Sequence, residues 1–369
     1  MVEINGARQR LQGHTPEPLH NPYKLAAIPN TDMNNYSEDI LKAGIEPLPW
    51  HRLDGKNILI TGATGLIGGC LVEILMRRPH TYHIYAAGRN EARAMRRFAE
   101  FAGDGTFHFL KCDVCEPLCG DVQFHYVVHA ASNASPVFFK NSPVEVIKAN
   151  VYGVANLMEY GMAHGMERFM YVSTGEIYGD GNRTFAEHDS GYVDCATVRA
   201  CYPSSKRAAE TLAVSYADEY DMDVVIARPC HTYGPHFTES DNRVFCQFIR
   251  NVLAGEDIVM KSDGLQMRSW CYVVDCARAL LYILLKGSSG EAYNVADPSS
   301  AFTIRDLASA IARPACRKVV LSNPTDAEAK AFTAIGHAVF AVDKLQALGW
   351  KVEGCWQDKL AATILEEKN

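Results

Sequence analysis

An apolar run, Asn57–Thr61 (NILIT), leads directly into Gly-Ala-Thr-Gly-Leu-Ile-Gly, which places glycines at 62, 65 and 68. No other feature of the chain restricts its fold so strongly. A glycine-rich turn between a buried strand and a helix lets the backbone approach a pyrophosphate, and the helix N-terminus behind it favours the anion. The strand before and the helix after distinguish this pattern from chance glycine spacing. Further apolar runs follow at His83–Ala87, Phe107–Lys111, Tyr126–His129, Phe169–Ser173 and Val224–Ala227. Periodic, helix-like segments separate them at Leu66–Arg77, Glu91–Phe101, Pro143–His164 and Arg199–Tyr220. Apolar strands that do not alternate with polar residues, spaced by helices, imply a parallel sheet covered on both faces. The expected fold is therefore α/β, a doubly wound parallel sheet whose ligands bind beyond the carboxyl ends of the strands.

The 369 residues allow two domains, or one large domain with a lobe. A chain that is 48% hydrophobic and 21% charged is an ordinary globular one, which excludes disordered, collagen-like and coiled-coil classes. A formal charge of −7 argues against a nucleic-acid binder. There is no apolar run long enough for a membrane span, and the polar N-terminus lacks a secretory signal. The twelve cysteines are scattered, which fits reduced thiols in a cytoplasmic setting. Cys112, Cys115 and Cys119 (KCDVCEPLC) contain one C-x-x-C spacing but no second pair, so no metal is expected. Residues 1–54 contain Pro16, Pro18, Pro22, Pro29, Pro47 and Pro49. They read as an extension that packs on the main body or on a partner subunit. Within it only Tyr36–Gly44 reads as a helix, with Ser37 as its N-cap.

The second strand ends in Gly88-Arg89-Asn90. An acidic residue there would take the ribose hydroxyls of NAD. Arg89 is instead placed to stack on adenine or to pair with the 2′-phosphate of NADP, so the sequence leaves NAD and NADP both open. Arg93, Arg96 and Arg97 read as a solvated helix face. Asp113 follows the third strand, where it would meet the adenine, and His129-Ala130-Ala131-Ser132 ends the fourth strand beside the cofactor. Tyr202 and Lys206, four apart in Tyr-Pro-Ser-Ser-Lys, share one helical face. A nearby ammonium favours the phenolate and lowers the tyrosine pKa. Tyr202 would then be the general base on a sugar hydroxyl as hydride leaves the carbon.

With these segments in view, the chain resembles an extended short-chain dehydrogenase/reductase of the NAD-dependent epimerase/dehydratase family. The resemblance covers about residues 55 to 365 and rests on TGATGLIG, HAAS, KANVYG, VSTGEIYG, CYPSSK and RPCHTYGP. It implies a Rossmann-type domain at 55–235 and a smaller C-terminal α/β substrate-binding lobe at 236–369, interleaved with it, after the 1–54 extension. It also implies an enzyme that oxidises a nucleotide-sugar, usually at C4, with a retained nicotinamide. The implied cofactor site takes in Gly62, Thr64, Gly65, Leu66, Ile67 and Gly68 of the turn, then Arg89, Asp113, Val114, Ala130, Ala131, Ser132, Ser173 and Pro229. Thr174 would hydrogen-bond the reacting hydroxyl. Lys206 would orient the ribose and tune Tyr202, and Asn150 would support the catalytic helix. By the same resemblance the helices Pro143–His164 and Arg199–Tyr220 would pair across a homodimer.

The stretch Thr174-Gly175-Glu176 bears on the reaction. Nucleotide-sugar 4,6-dehydratases read Thr-Asp-Glu here, the Asp protonating the leaving hydroxyl. Gly175 removes that acid, while Glu176 remains as a base or as a ligand to a sugar hydroxyl. UDP-glucuronate decarboxylases carry Thr-Ser-Glu and resemble the chain also at Ala131–Pro136, Asp241–Phe245 and Gly264–Arg268. The implied substrate residues are Ser135, Glu176, His231, Asn242, Arg243 and Arg268, the two arginines gripping the diphosphate. Decarboxylation or epimerisation after C4 oxidation is the expected chemistry. An NADP-dependent 4-ketosugar reductase and a non-catalytic nicotinamide-binding protein are the alternatives.

Overall fold

The computed structural model describes residues 35–322 and 335–368. Its centre is a seven-stranded parallel sheet. The spatial order is Ala292–Val295, Val224–Pro229, Arg168–Val172, Tyr126–His129, Asn57–Thr61, His83–Gly88, Phe107–Lys111. The order reverses between Asn57–Thr61 and Tyr126–His129, so their carboxyl ends open a crevice at the switch point.

Alternation along each strand sends its side chains to two separate cores. Ile58 and Ile60 pack beneath the helices Leu66–Arg77 and Val273–Lys286. Leu59 packs on the other face, beneath Pro143–His164 and Cys201–Tyr220. Because both faces are covered, the strands carry no polar alternation. Among the described residues no helix is long and apolar enough to cross a membrane.

A second, smaller sheet gathers around Met267–Tyr272. That strand pairs with His231–Tyr233, with Ala301–Thr303 and with His337–Phe340, and the last also pairs with Thr184–Phe185. This lobe therefore draws on segments from 184 onward, while Val273–Lys286 and Ala292–Val295 return to the main body.

The described part of the extension packs on the main body. Tyr36 donates to the Glu73 carboxylate (2.6 Å), Tyr282 to Glu46 (2.7 Å), and Arg52 to the Leu285 carbonyl (2.6 Å). Arg78 lies 3.9 Å over the Trp50 ring. Residues 1–34, with Pro16, Pro18, Pro22 and Pro29, lie outside the described residues.

Several local expectations are corrected. The helix Tyr36–Gly44 is capped by Asn35, whose side chain accepts the Glu38 amide, so Ser37 lies inside the first turn. The third helical segment breaks after Arg97, and Ala99–Phe101 forms a 3-10 turn that leaves Phe98 buried. Arg97 is no part of a solvated face. It lies 2.7 Å from Glu73, which is buried, and is itself largely covered where the extension meets the sheet layer. The strand expected at Phe169–Ser173 runs from Arg168 to Val172, since Arg168 is held by Asp223 (2.7 Å) and by two carbonyls beyond. The long helix begins at Cys201, after a 3-10 turn over Val198–Ala200.

Candidate active site

A cleft of about 840 Å³ opens at the carboxyl ends of the strands. The glycine turn forms its floor. Gly62 has φ +69°, and a Cβ there would sit 2.6 Å from the Ala130 carbonyl oxygen, so the turn closes against the fourth strand only with glycine. Thr64, Gly65, Leu66, Ile67 and Gly68 line the cleft as expected, as do Arg89, Asp113, Val114, Ala130, Ala131 and Ser132. Arg89 donates to the Asn133 amide oxygen (3.3 Å), and Asp113 accepts the Cys115 amide (3.0 Å), which fixes the loop after the third strand. The buried hydroxyls of Ser132 and Ser173 lack a hydrogen-bond partner among the described residues. A backbone cradle with unsatisfied hydroxyls beside it fits a bound dinucleotide.

Tyr202 and Lys206 are both buried near the start of the helix Cys201–Tyr220. The Tyr202 ring stacks on Phe139 (centroids 4.7 Å). Lys206 donates to the Val172 carbonyl (2.8 Å) and stands 5.9 Å from the centre of the Tyr202 ring. Asn150 donates to Ser205 (2.8 Å), and Ser205 in turn bonds the Cys201 carbonyl, which ties the first turn of this helix to its neighbour. Pro229 ends its strand and is buried, but it is not among the residues that line the cleft.

The electrostatics differ from the expectation that Lys206 lowers the tyrosine pKa. Burial and the Glu176 charge push Tyr202 above its ordinary value, against a hydrogen bond from Thr174 and the charges of Arg243 and Arg199. Burial pulls Lys206 down to about 7, with Glu210 opposing. Desolvation outweighs pairing because the Lys206 ammonium is spent on a carbonyl rather than on the phenol.

Glu176 sits in the 3-10 turn Gly175–Tyr178, whose N-cap is Thr174; the Thr174 hydroxyl accepts the Glu176 amide (3.2 Å). Its carboxylate pairs with Arg199 at 2.8 Å. The sequence reading assigned Arg199 no role. The available signal was its position three residues before Tyr202, one helical turn upstream.

The expected substrate residues come from five segments, at 135, 176, 231, 242–243 and 268. Ser135 bonds Asn242. Arg243 lines the cleft but is engaged by Asp241 (2.6 Å). Thr238, Ser240 and Asp241, from the same loop, also line the cleft and were not foreseen. Arg268 is buried and donates to the carbonyls of Met267 (2.8 Å) and Ile335 (2.7 Å), and among the described residues no carboxylate pairs with it. Its charge is felt by His231, which burial, Arg268 and Arg243 together bring down to about 3, so the imidazole is neutral. Burial pushes the neighbouring Cys230 thiol up. All twelve cysteines are free, and among the described residues no group of three His, Cys, Asp or Glu side chains is placed to hold a metal.

Residues 58–296 match the NAD dependent epimerase/dehydratase family. UDP-glucuronic acid decarboxylase 6 of Arabidopsis thaliana is 35% identical over 255 residues, covering 69% of this chain and 73% of that protein. UDP-glucuronic acid decarboxylase 1 of Xenopus tropicalis is 32% identical over 249 residues, covering 66% and 57%. Among solved structures, UDP-glucose 4-epimerase of Thermotoga maritima, with UDP-glucose, superposes with a TM-score of 0.72 at 21% identity, covering 84% of this chain and 98% of that one. The dTDP-glucose 4,6-dehydratase DesIV of Streptomyces venezuelae, with NAD and TYD bound, gives 0.74 at 22%, covering 84% and 96%. These structures share the fold.

Proposed function

The chain belongs to the NAD-dependent epimerase/dehydratase family, and from that premise we propose that it oxidises C4 of a nucleotide-linked uronic acid and releases the carboxyl group as CO2. The observation that carries this reading is Gly175, a residue with no side chain between Thr174 and Glu176. Losing a hydroxyl as water needs a proton donor at the leaving oxygen. A 4-keto uronic acid is a β-keto acid, and its C5–C6 bond breaks with the electron pair entering the ketone, so CO2 departs without an acid; the resulting enol takes a proton at C5, and return of the hydride and a proton to C4 leaves a pentose with the cofactor oxidised again. The similarity to the plant and frog decarboxylases supports the same outcome.

NAD, when bound, supplies the hydride acceptor for C4. The glycine turn and Ser132 would hold it, with Arg89 and Asp113 at the adenosine end. Tyr202 takes the proton of the C4 hydroxyl, and Thr174 orients that hydroxyl. Glu176 and Arg199 face the C5 substituent. Arg243 and Arg268, with Ser135 and Asn242, support the diphosphate end, and neutral His231 lies between them. The apolar face of Pro143–His164 and Cys201–Tyr220 exposes Val144, Ile147, Tyr152 and Val214, which supports a homodimer through these helices. The free thiols support a reducing, cytoplasmic setting.

Cofactor retention tests the reading. Protein purified without added nucleotide carries about one NAD per chain through gel filtration and turns over UDP-glucuronate with no net change in reduced cofactor. Stoichiometric consumption of NADPH would instead make it a reductase.

A further inference from the structure

Glycine is needed at a position for one of two reasons: a left-handed backbone or a lack of space. Gly175 lacks a positive φ, so the first reason does not apply. The second does. A Cβ built on Gly175 would overlap the ring of Phe340, with the ring atom Cε2 2.6 Å away. Phe340 ends the strand His337–Phe340 in the smaller lobe, far from Gly175 in sequence. Neighbouring side chains pack around its ring. It is buried at 5% exposure among Ile177, Tyr178, Phe185 and Val342, with ring centroids 5.5 Å from Tyr178 and 6.4 Å from Phe185. Tyr178 is itself held by Asn294 (2.6 Å) and Arg228 (3.0 Å), and the Phe340 amide donates to Ser269 (3.2 Å).

On either side of Gly175 stand the two groups that face the reaction. Thr174 pulls the Tyr202 pKa down and caps the turn by accepting the Glu176 amide (3.2 Å), and Glu176 pairs with Arg199. We propose that Phe340 is a positioning residue for this turn and, through the space it takes at Gly175, the residue that keeps a proton donor out of the site. The second role rests on the decarboxylation reading; the first does not. The smaller lobe thus sets the chemistry of a turn that belongs to the main sheet.

A double-substitution cycle tests this, with Gly175→Ser, Phe340→Ala and the pair, and Phe340→Leu as a milder background that withdraws the ring edge. Melting temperature and the single-turnover rise of reduced-cofactor absorbance with UDP-glucuronate are measured. In the native background Gly175→Ser lowers the melting temperature and slows C4 oxidation about tenfold or more, as overpacking of a closed core does. In either Phe340 background the same change costs less than about twofold. Phe340→Ala alone moves the rising limb of the pH–rate profile to higher pH, because a turn no longer held in place weakens the lowering influence of Thr174 on Tyr202, and Phe340→Leu restores it in part. Additive melting shifts, or a pH profile that does not move, overturn the proposal. The melting cycle needs no substrate: coupled melting shifts without oxidation of UDP-glucuronate overturn the functional reading alone.

Discussion

Arg199 places its guanidinium 2.8 Å from the Glu176 carboxylate and 4.8 Å over the ring of Phe139, the same ring that stacks on Tyr202. One cation therefore bridges the turn Gly175–Tyr178 and the start of the helix Cys201–Tyr220. It also favours the Tyr202 phenolate. A uronate carboxylate arriving beside Glu176 meets this charge. We expect Arg199→Gln to raise KM for UDP-glucuronate and to lower kcat/KM about 30-fold, with a smaller loss on UDP-glucose oxidation. Equal losses on the two sugars would remove the carboxylate from the argument.

The buried lysine makes a prediction about stability. Its folded pKa of about 7 lies below the ordinary lysine value of 10.5. Between those values the unfolded chain binds more protons than the native one, so stability rises with pH across that window. The burial penalty is full below about pH 7 and fades toward pH 10. Lys206→Met should therefore change the urea midpoint of the cofactor-free protein most favourably at pH 7 or below, with the advantage shrinking as pH rises. A difference between variant and native protein that does not vary from pH 6 to 10 would refute the assignment.

Tyr202→Phe keeps the stacking on Phe139 but removes the proton acceptor. Oxidation of C4 should fall about a thousandfold or more, while NAD still co-purifies. Retained NAD with retained activity would place the base elsewhere.

Arg97 pairs at 2.7 Å with buried Glu73, whose second carboxylate oxygen accepts from Tyr36 of the extension (2.6 Å). Removing one partner leaves a buried charge alone. Arg97→Met should cost about 3 kcal/mol in urea unfolding, and Glu73→Gln on the same background should recover part of it. A change within about 0.5 kcal/mol would return Arg97 to the solvent-facing role that its spacing suggests.

These predictions separate what the residue order reveals from what it hides. Asn57–Thr61 and Leu66–Arg77 were legible with their boundaries because a strand, a glycine turn and a helix each leave a local pattern. That Tyr202 and Lys206 share one helix was legible for the same reason. The Glu176–Arg199 pair spans 23 positions, and the Gly175–Phe340 contact joins two lobes; no periodicity records either. Arg97 was misread because a basic residue in an exposed-looking helix is ordinarily solvated, and its buried partner lies on another helix. Strands of two or three residues, such as Thr184–Phe185 and Ala301–Thr303, are held by the smaller sheet rather than by their own composition.

The product formed from UDP-glucuronate tests the central claim most directly. Incubated with the NAD-loaded protein and analysed by mass spectrometry, UDP-glucuronate should yield a nucleotide-sugar lighter by one CO2. A product of unchanged mass, which is epimerisation, or one lighter by a single water would contradict it.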